Sequence, residues 1–411
     1  MLPRNSMETF LHFSIAHLNY MYFNFDMPNI KRLLPLPDET FFLWGPRQSG
    51  KTTLLKERFP DAYRIDLLRT DVRMRFERDP ARLRDEVRAQ PADCRVVIDE
   101  IQKVPALLDE VHYLLQEDKR VFALCGSSAR KIRRSHANLL GGRALKRELL
   151  GLSAKEIGDS FSLIRMLNHG ALPPHYLNDD PRDAISAYVD LYLKEEILDE
   201  GLTRNLPVFS AFLRAAAIGD TEVTNFSDIA RECGVASSTV RGYYEVLEDT
   251  LIGAFLPAFT RRAKRRVQRA PKFYFRDVAV VNHLVRRDRV EEGTETFGKA
   301  FENWVFHELS VHQRHARYPY DLSYWRLSSG IGVDFVIGDA EYALEVKGRR
   351  HIHARDTRHL LQFRNEHPEV QQLVMVCLEP ATRLTADGVL ILPYSDFLRA
   401  LWSDQWVPGQ A

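Results

Sequence analysis

The sequence predicts an α/β chain: a parallel-sheet phosphate-loop domain, a helical and winged-helix middle, and a second α/β domain at the end. Three observations predict it. Gly45-Pro46-Arg47-Gln48-Ser49-Gly50-Lys51-Thr52 lies between an apolar run and a helical stretch. Val96-Val97-Ile98 is a β-branched run that ends in Asp99-Glu100. Near the end, Asp334 and Glu345-x-Lys347 fall on consecutive strand-like runs. Strands alternating with helical patterns indicate a mostly parallel, helix-covered sheet.

Residues 1–27 stand apart as an extension of uncertain status. The stretch from Phe10 to Phe25 is aromatic-rich but interrupted by His12, His17, Asn19 and Asn24, and Glu8 argues against a signal peptide. No window of the chain reaches the ~18–20 uninterrupted apolar residues of a membrane-spanning helix. With 411 residues there is room for two or three domains of about 100–200 residues each. The hydrophobic 45% and charged 27% suit a soluble globular chain, and a net charge of +1 selects no partner class. Cys94, Cys125, Cys233 and Cys377 are scattered without CxxC spacing. That argues against a zinc knuckle or a disulfide framework and points to a reducing cytoplasm.

The first domain is expected over residues 28–160. Phe41-Phe42-Leu43-Trp44 has a strand's composition, and Thr53–Phe59 has helical spacing that stops before Pro60. Strand, glycine loop and helix in that order form the context a G-x-x-x-x-G-K-[ST] match requires. The loop's amides and the helix N-terminus make a positive concavity for phosphate oxygens. Lys51 can reach the β/γ-phosphates and the Thr52 hydroxyl can serve Mg²⁺, so Gly45 through Thr53 are the nucleotide-binding residues. Asp99 is the second candidate for Mg²⁺, and Glu100 can orient or deprotonate the attacking water. Val121–Cys125 reads as a further buried strand, ending in Gly126-Ser127-Ser128.

The loop Gly45–Thr52, VVIDEIQ at Val96–Gln102, GSSARK at Gly126–Lys131 and GGRA at Gly141–Ala144 resemble a family of prokaryotic AAA+ ATPases. The resemblance runs from about residue 28 to the end. It implies ATP and Mg²⁺ as cofactors and a homo-oligomer, a hexameric ring being one form open to it. It implies a sensor role for Ser127 or Ser128, either of which could instead cap the following helix. Arg143 would be an arginine finger completing a neighbour's site, or else a solvated arginine. It also implies a winged-helix segment followed by a domain of unknown function that looks like the PD-(D/E)xK nuclease fold, a restriction-endonuclease-like α/β unit.

Residues 161–220 read as mostly helical, a lid or linker. Residues 221–275 carry a helix-turn-helix pattern: Asn225 or Ser227 caps a short helix, Gly234 breaks it, and a second helix runs from Ala236 through Leu247. In that pattern Ser237, Ser238, Thr239 and Arg241 would face a DNA major groove. The basic run Arg261, Arg262, Lys264, Arg265 and Arg266, extended by Arg269 and Lys272, falls where a wing would lie and is expected to contact phosphates. The bland alternative is a winged helix used for protein packing and a basic run that is only a solvated face.

Residues 276–411 form the last domain. Phe301, Trp304, Val305 and Leu309 share one face of a helix, with Glu302 close to that face. The strands that follow bring Asp334 and Glu345-x-Lys347 to a hairpin. On the nuclease-like reading Glu302, Asp334 and Glu345 hold Mg²⁺ through oxygen ligands, and Lys347 serves the attacking water. Residues 345 and 347 share a sheet face because strand side chains alternate. The alternative is a nuclease-like fold whose acidic residues serve structure or binding. The expected function is an ATP-driven enzyme acting on DNA, in remodelling, repair or mobile-element defence, with Mg²⁺-dependent cleavage open. Its rival is a nucleotide-dependent switch that binds a protein partner and carries an inert nuclease-like domain.

Overall fold

Phe41–Trp44, four apolar residues without alternation, is a run that only a strand covered on both faces can use. It forms strand β1, and all four residues are buried. The structure is a computed structural model, and it describes residues 30–128, 139–193, 205–260, 269–316 and 319–407. The described residues from 31 on form one compact unit.

After β1 come helix α1 (Lys51–Arg58), β2 (Tyr63–Asp66), α2 (Thr70–Arg78) and α3 (Arg82–Arg88). They are followed by β3 (Val96–Asp99), α4 (Leu107–Gln116), β4 (Phe122–Gly126) and β5 (Leu145–Glu148). The strands form one parallel sheet in the order β2-β3-β4-β1-β5. Apolar layers cover both faces: Phe42, Ile98, Phe122 and Leu124 pack to one side, and Phe41, Leu43, Val97 and Ala123 to the other. Each of these side chains larger than Ala123 contributes about 1.5–3 kcal/mol by leaving water.

The middle is helical, as its spacing predicts. Helices α5 (Ala154–Ile157), α6 (Leu163–His169), α7 (Pro173–Tyr176) and α8 (Arg182–Ala187) precede α9 (Leu206–Ile218). Then α10 (Phe226–Cys233) and α11 (Ser237–Asp249) form the helix-turn-helix pair. Asn225 caps α10 by accepting from the Ser227 and Asp228 amides, and Gly234 turns the chain at φ +67°. The antiparallel hairpin of β6 (Gly253–Leu256) and β7 (Lys272–Phe275) closes this unit. Its core joins Phe209, Phe212, Tyr243, Tyr244 and Phe273.

The carboxyl-terminal part opens with α12 (Val278–Leu284) and the long α13 (Glu295–His315), capped by the Thr294 hydroxyl. Strands β8 (Leu322–Arg326), β9 (Gly332–Ile337) and β10 (Tyr342–Val346) lead to α14 (Arg358–Glu366) and β11 (Gln372–Cys377). Strands β12 (Arg383–Leu384) and β13 (Val389–Pro393) follow, with α15 (Tyr394–Leu401) last. The six strands form a mixed sheet in the order β12-β13-β11-β10-β9-β8. Among the described residues no helix is long and apolar enough to cross a membrane.

Candidate nucleotide site and a carboxylate cluster

The strand order fixes the first site. β1 and β3 flank β4 in a parallel sheet, so their carboxyl ends share one edge. Ligands of such sheets bind outside that edge. The loop Gly45–Gly50 leaves β1, Asp99 ends β3, and Ser127 follows β4.

Gly45 has no substitute: a Cβ there would lie 2.3 Å from the Leu149 carbonyl oxygen. Gly50, at φ +89°, turns the loop into α1. Pro46 and Ser49 are buried, and Arg47 and Gln48 are half-buried. Lys51 is buried and donates to the Gly45 and Pro46 carbonyls at 2.7 and 2.9 Å. Anionic phosphate oxygens are stronger acceptors than these neutral carbonyls. The Thr52 hydroxyl donates to Asp99 Oδ2 at 2.7 Å, while Thr53 is exposed. This adjoining hydroxyl and carboxylate are the hard oxygen donors Mg²⁺ takes alongside water and phosphate, so the residues present fit that ion.

Glu100 sits at φ +58°, and its amide donates to Asp99 Oδ1 at 3.0 Å. Its carboxylate accepts from the Gln102 amide and, at 3.5 Å, from the Ser127 hydroxyl. Gln102 Nε2 also donates to Ser127 Oγ at 3.0 Å. Gly126 makes room for this: a Cβ there would lie 2.3 Å from Gln102 Oε1 and 2.6 Å from the Trp44 ring. Ser128 is buried beside Ser127. Gln102 is visible in VVIDEIQ, but its contact with Ser127, 25 residues on, is not.

Arg32 carried no signal at all. Buried, it donates to the Ser49 carbonyl, to the Leu150 and Gly151 carbonyls at 3.0 and 3.1 Å, and to Glu156 at 2.9 Å. It thereby ties the phosphate loop to the exit of β5. Against the cost of burial, Arg32 holds the Glu156 carboxyl below its usual range.

Arg143 is exposed and precedes β5, whose Leu145 pairs with Phe41 at the start of β1. It therefore lies at the amino edge of the sheet, opposite its own phosphate loop.

In α11, Ser238 and Arg241 are exposed and Ser237 and Thr239 half-buried. The Arg241 guanidinium stacks 4.1 Å from the Phe226 ring. Arg261, Arg262, Lys264, Arg265 and Arg266 lie outside the described residues, and Arg269 is exposed. Lys272 departs from the expectation of a wing phosphate contact. It is buried, and Nζ donates to Glu302 Oε1 at 2.9 Å and Asp334 Oδ1 at 3.2 Å.

The second site gathers around that lysine. Helix α13, strands β8, β9 and β10, α14 and β11 follow in the expected order, and Glu302, Asp334, Glu345 and Lys347 converge. Glu302 Oε1 also accepts from the Tyr274 hydroxyl at 2.7 Å, and Asp334 Oδ2 from the Val346 amide at 3.0 Å. Lys347 donates to Glu345 Oε1 at 2.7 Å, as their shared sheet face requires. Gln362 pairs with Glu366 on its own helix at 3.2 Å. Burial and the neighbouring Asp334 raise Glu302, and together they push Glu345 up to about 8. Burial acts on Asp334 too, but Lys272 and Lys347 hold it below the usual carboxylate range. Two ammonium groups thus engage all three carboxylates. Among the described residues no three His, Cys, Asp or Glu side chains are grouped to hold a metal ion. The divalent cation expected at this cluster does not fit it.

Comparison with known proteins finds three matching stretches of the chain. The family described as "AAA domain" matches residues 37–158, so an AAA-type phosphate-loop ATPase domain lies there. Two families described only as domains of unknown function match residues 160–291 and 297–397. Uncharacterised proteins of Mycobacterium tuberculosis (strain ATCC 25618 / H37Rv) and Mycobacterium bovis (strain ATCC BAA-935 / AF2122/97) are each 26% identical over 317 residues. The alignment spans 74% of this chain and 69% of each relative. The structure of the Aeropyrum pernix ORC2 protein in its ADP form is 15% identical, covers 53% of this chain and 81% of its own, and superposes with a TM-score of 0.25.

Proposed function

We propose that the chain is an ATP-hydrolysing AAA-type machine that works on DNA in a reducing cytoplasm. The observation that carries the hydrolytic part is the contact of Thr52 with Asp99, with Glu100 held beside it by Gln102 and Ser127. Lys51 and the loop amides bind the β- and γ-phosphates, and Thr52 and Asp99 hold Mg²⁺. When bound, that ion neutralises charge on the phosphate oxygens. Glu100 orients the attacking water and accepts its proton. The exposed Arg143 acts on the site of a second copy in a homo-oligomer.

The DNA part is supported by the helix-turn-helix pair, with Ser238 and Arg241 exposed on its second helix. Its test is ATP turnover and binding with and without duplex and branched DNA across a salt series. Reversing the charge of Arg265 and Arg266 should weaken binding and flatten the salt dependence. If DNA neither binds at low salt nor raises turnover, this part fails.

A second reading, a nucleotide-dependent switch on a protein partner with an inert carboxyl-terminal domain, is favoured by Lys272 at Glu302 and Asp334. Under it no Mg²⁺-dependent cleavage of DNA occurs, and a protein partner rather than DNA changes turnover.

A further inference from the structure

We propose that Lys272 is the resident cation of the Glu302–Asp334 pair and keeps divalent metal out of the carboxyl-terminal cluster. The ammonium bridges one oxygen of each carboxylate at 2.9 and 3.2 Å. Its side chain is 8% exposed, and the two acids are 17% and 16% exposed. Nζ lies 5.7 Å from the Tyr324 ring, so its surroundings are aromatic and carboxylate rather than aqueous.

Distances decide between the lysine and a metal. Mg²⁺ takes oxygens at about 2.0–2.1 Å in near-octahedral order. At Lys272 the two oxygens sit at ammonium distances from Nζ, which bridges them. A divalent ion would have to draw the acids inward and expel a buried positive charge. Moving that charge without its partners is costly in a low-dielectric interior. The main chain that carries this side chain is fixed, because Lys272 pairs with Leu256 in the β6–β7 hairpin and forms a β-bridge with Val223. One oxygen, Glu345 Oε2, is buried without a hydrogen-bond partner. Once the lysine charge is gone, Glu302 Oε1 and Asp334 Oδ1 are left as a pair of carboxylate oxygens without their cation. The cation thus comes from the strand that closes the winged helix, and it locks that unit to α13 and β9.

The test is a Mn²⁺ titration of nucleotide-free, full-length protein, with free Mn²⁺ read by electron paramagnetic resonance. Ions that remain in Asp334→Ala, including any at Thr52 and Asp99, are set aside. Wild-type protein should show no Asp334-dependent Mn²⁺. Lys272→Met, and Lys272→Gln as a polar alternative, should gain an Asp334-dependent site at least ~10-fold tighter than any in the wild type, because a full repelling charge is removed. An Asp334-dependent site in the wild type overturns the proposal, whether or not the variants fold. A folded Lys272 variant that gains no site overturns it too. The readout needs no ATP, so it stands apart from the fate of the hydrolytic reading.

Discussion

Arg32 and Glu156 form a buried ion pair at 2.9 Å, with side chains 5% and 0% exposed, 124 residues apart in the chain. The same guanidinium holds the Ser49 carbonyl of the phosphate loop. Arg32→Ala should therefore loosen the loop as well as unpair a buried carboxylate, an effect of about 3–5 kcal/mol on stability. KM for ATP should rise at least ~10-fold, more than kcat falls. Arg32→Lys should not rescue it, since a point charge cannot fork to four acceptors. A lowered melting temperature with unchanged KM would leave Arg32 a purely structural residue.

Gln102 orients the Glu100 carboxylate. Gln102→Ala should lower kcat by ~10-fold or more with little change in KM, because small misplacements of a reacting group are costly. A kcat equal to that of the wild type would deny Gln102 this role.

Lys51→Ala should abolish ATP binding or turnover. Glu100→Gln should still bind ATP but hydrolyse it at least ~10²-fold slower. Equilibrium nucleotide binding and single-turnover hydrolysis separate the two. Wild-type turnover in Glu100→Gln would remove it as the base.

Glu308 accepts from the Ala154 amide at 2.7 Å and the Trp402 ring N–H at 3.3 Å. Burial outweighs these donors and pushes its carboxyl up to about 7, with Glu156 adding to the rise. The folded state thus binds the proton more tightly than the unfolded chain. The resulting stability is fully present below about pH 4 and is lost as pH rises through about 7, on the order of 3 kcal/mol in all. Urea midpoints should fall from pH 5 to pH 8, and Glu308→Gln should flatten that fall. Asp220, also pushed to about 7 by burial, leaves a residual slope in the variant. Equal slopes in both proteins would show that Glu308 titrates normally.

How much of this was legible in the sequence depended on range. The phosphate loop and the Asp99-Glu100 strand end each lie within about a dozen residues, and the helix-turn-helix pattern lies within the one stretch from Asn225 to Leu247. Local spacing sufficed for them. The period-two placement of Glu345 and Lys347 was legible for the same reason. Arg32 acts on carbonyls more than a hundred positions away, and nothing near it marks it out. Lys272 was misread because the basic run before it in sequence suggests a phosphate contact. Its partners, Glu302 and Asp334, are 30 and 62 residues downstream. Pattern tells which face of an element a residue occupies, and only the fold tells what the face meets.

The stretch from Leu150 to Glu156 has a practical consequence for dissecting the protein. On one side it receives Arg32 and, through it, the phosphate loop. On the other, His307 bonds the Leu152 carbonyl at 2.9 Å, and Glu308 takes the Ala154 amide. A fragment cut where the AAA match stops, after residue 158, would keep the arginine clamp but strip its outer lining. Leu152 and Ala154 would then turn their backbone groups to water beside the wall of the nucleotide site. Kinetic constants measured on such a fragment would describe a softened loop, not the one the intact chain presents to ATP.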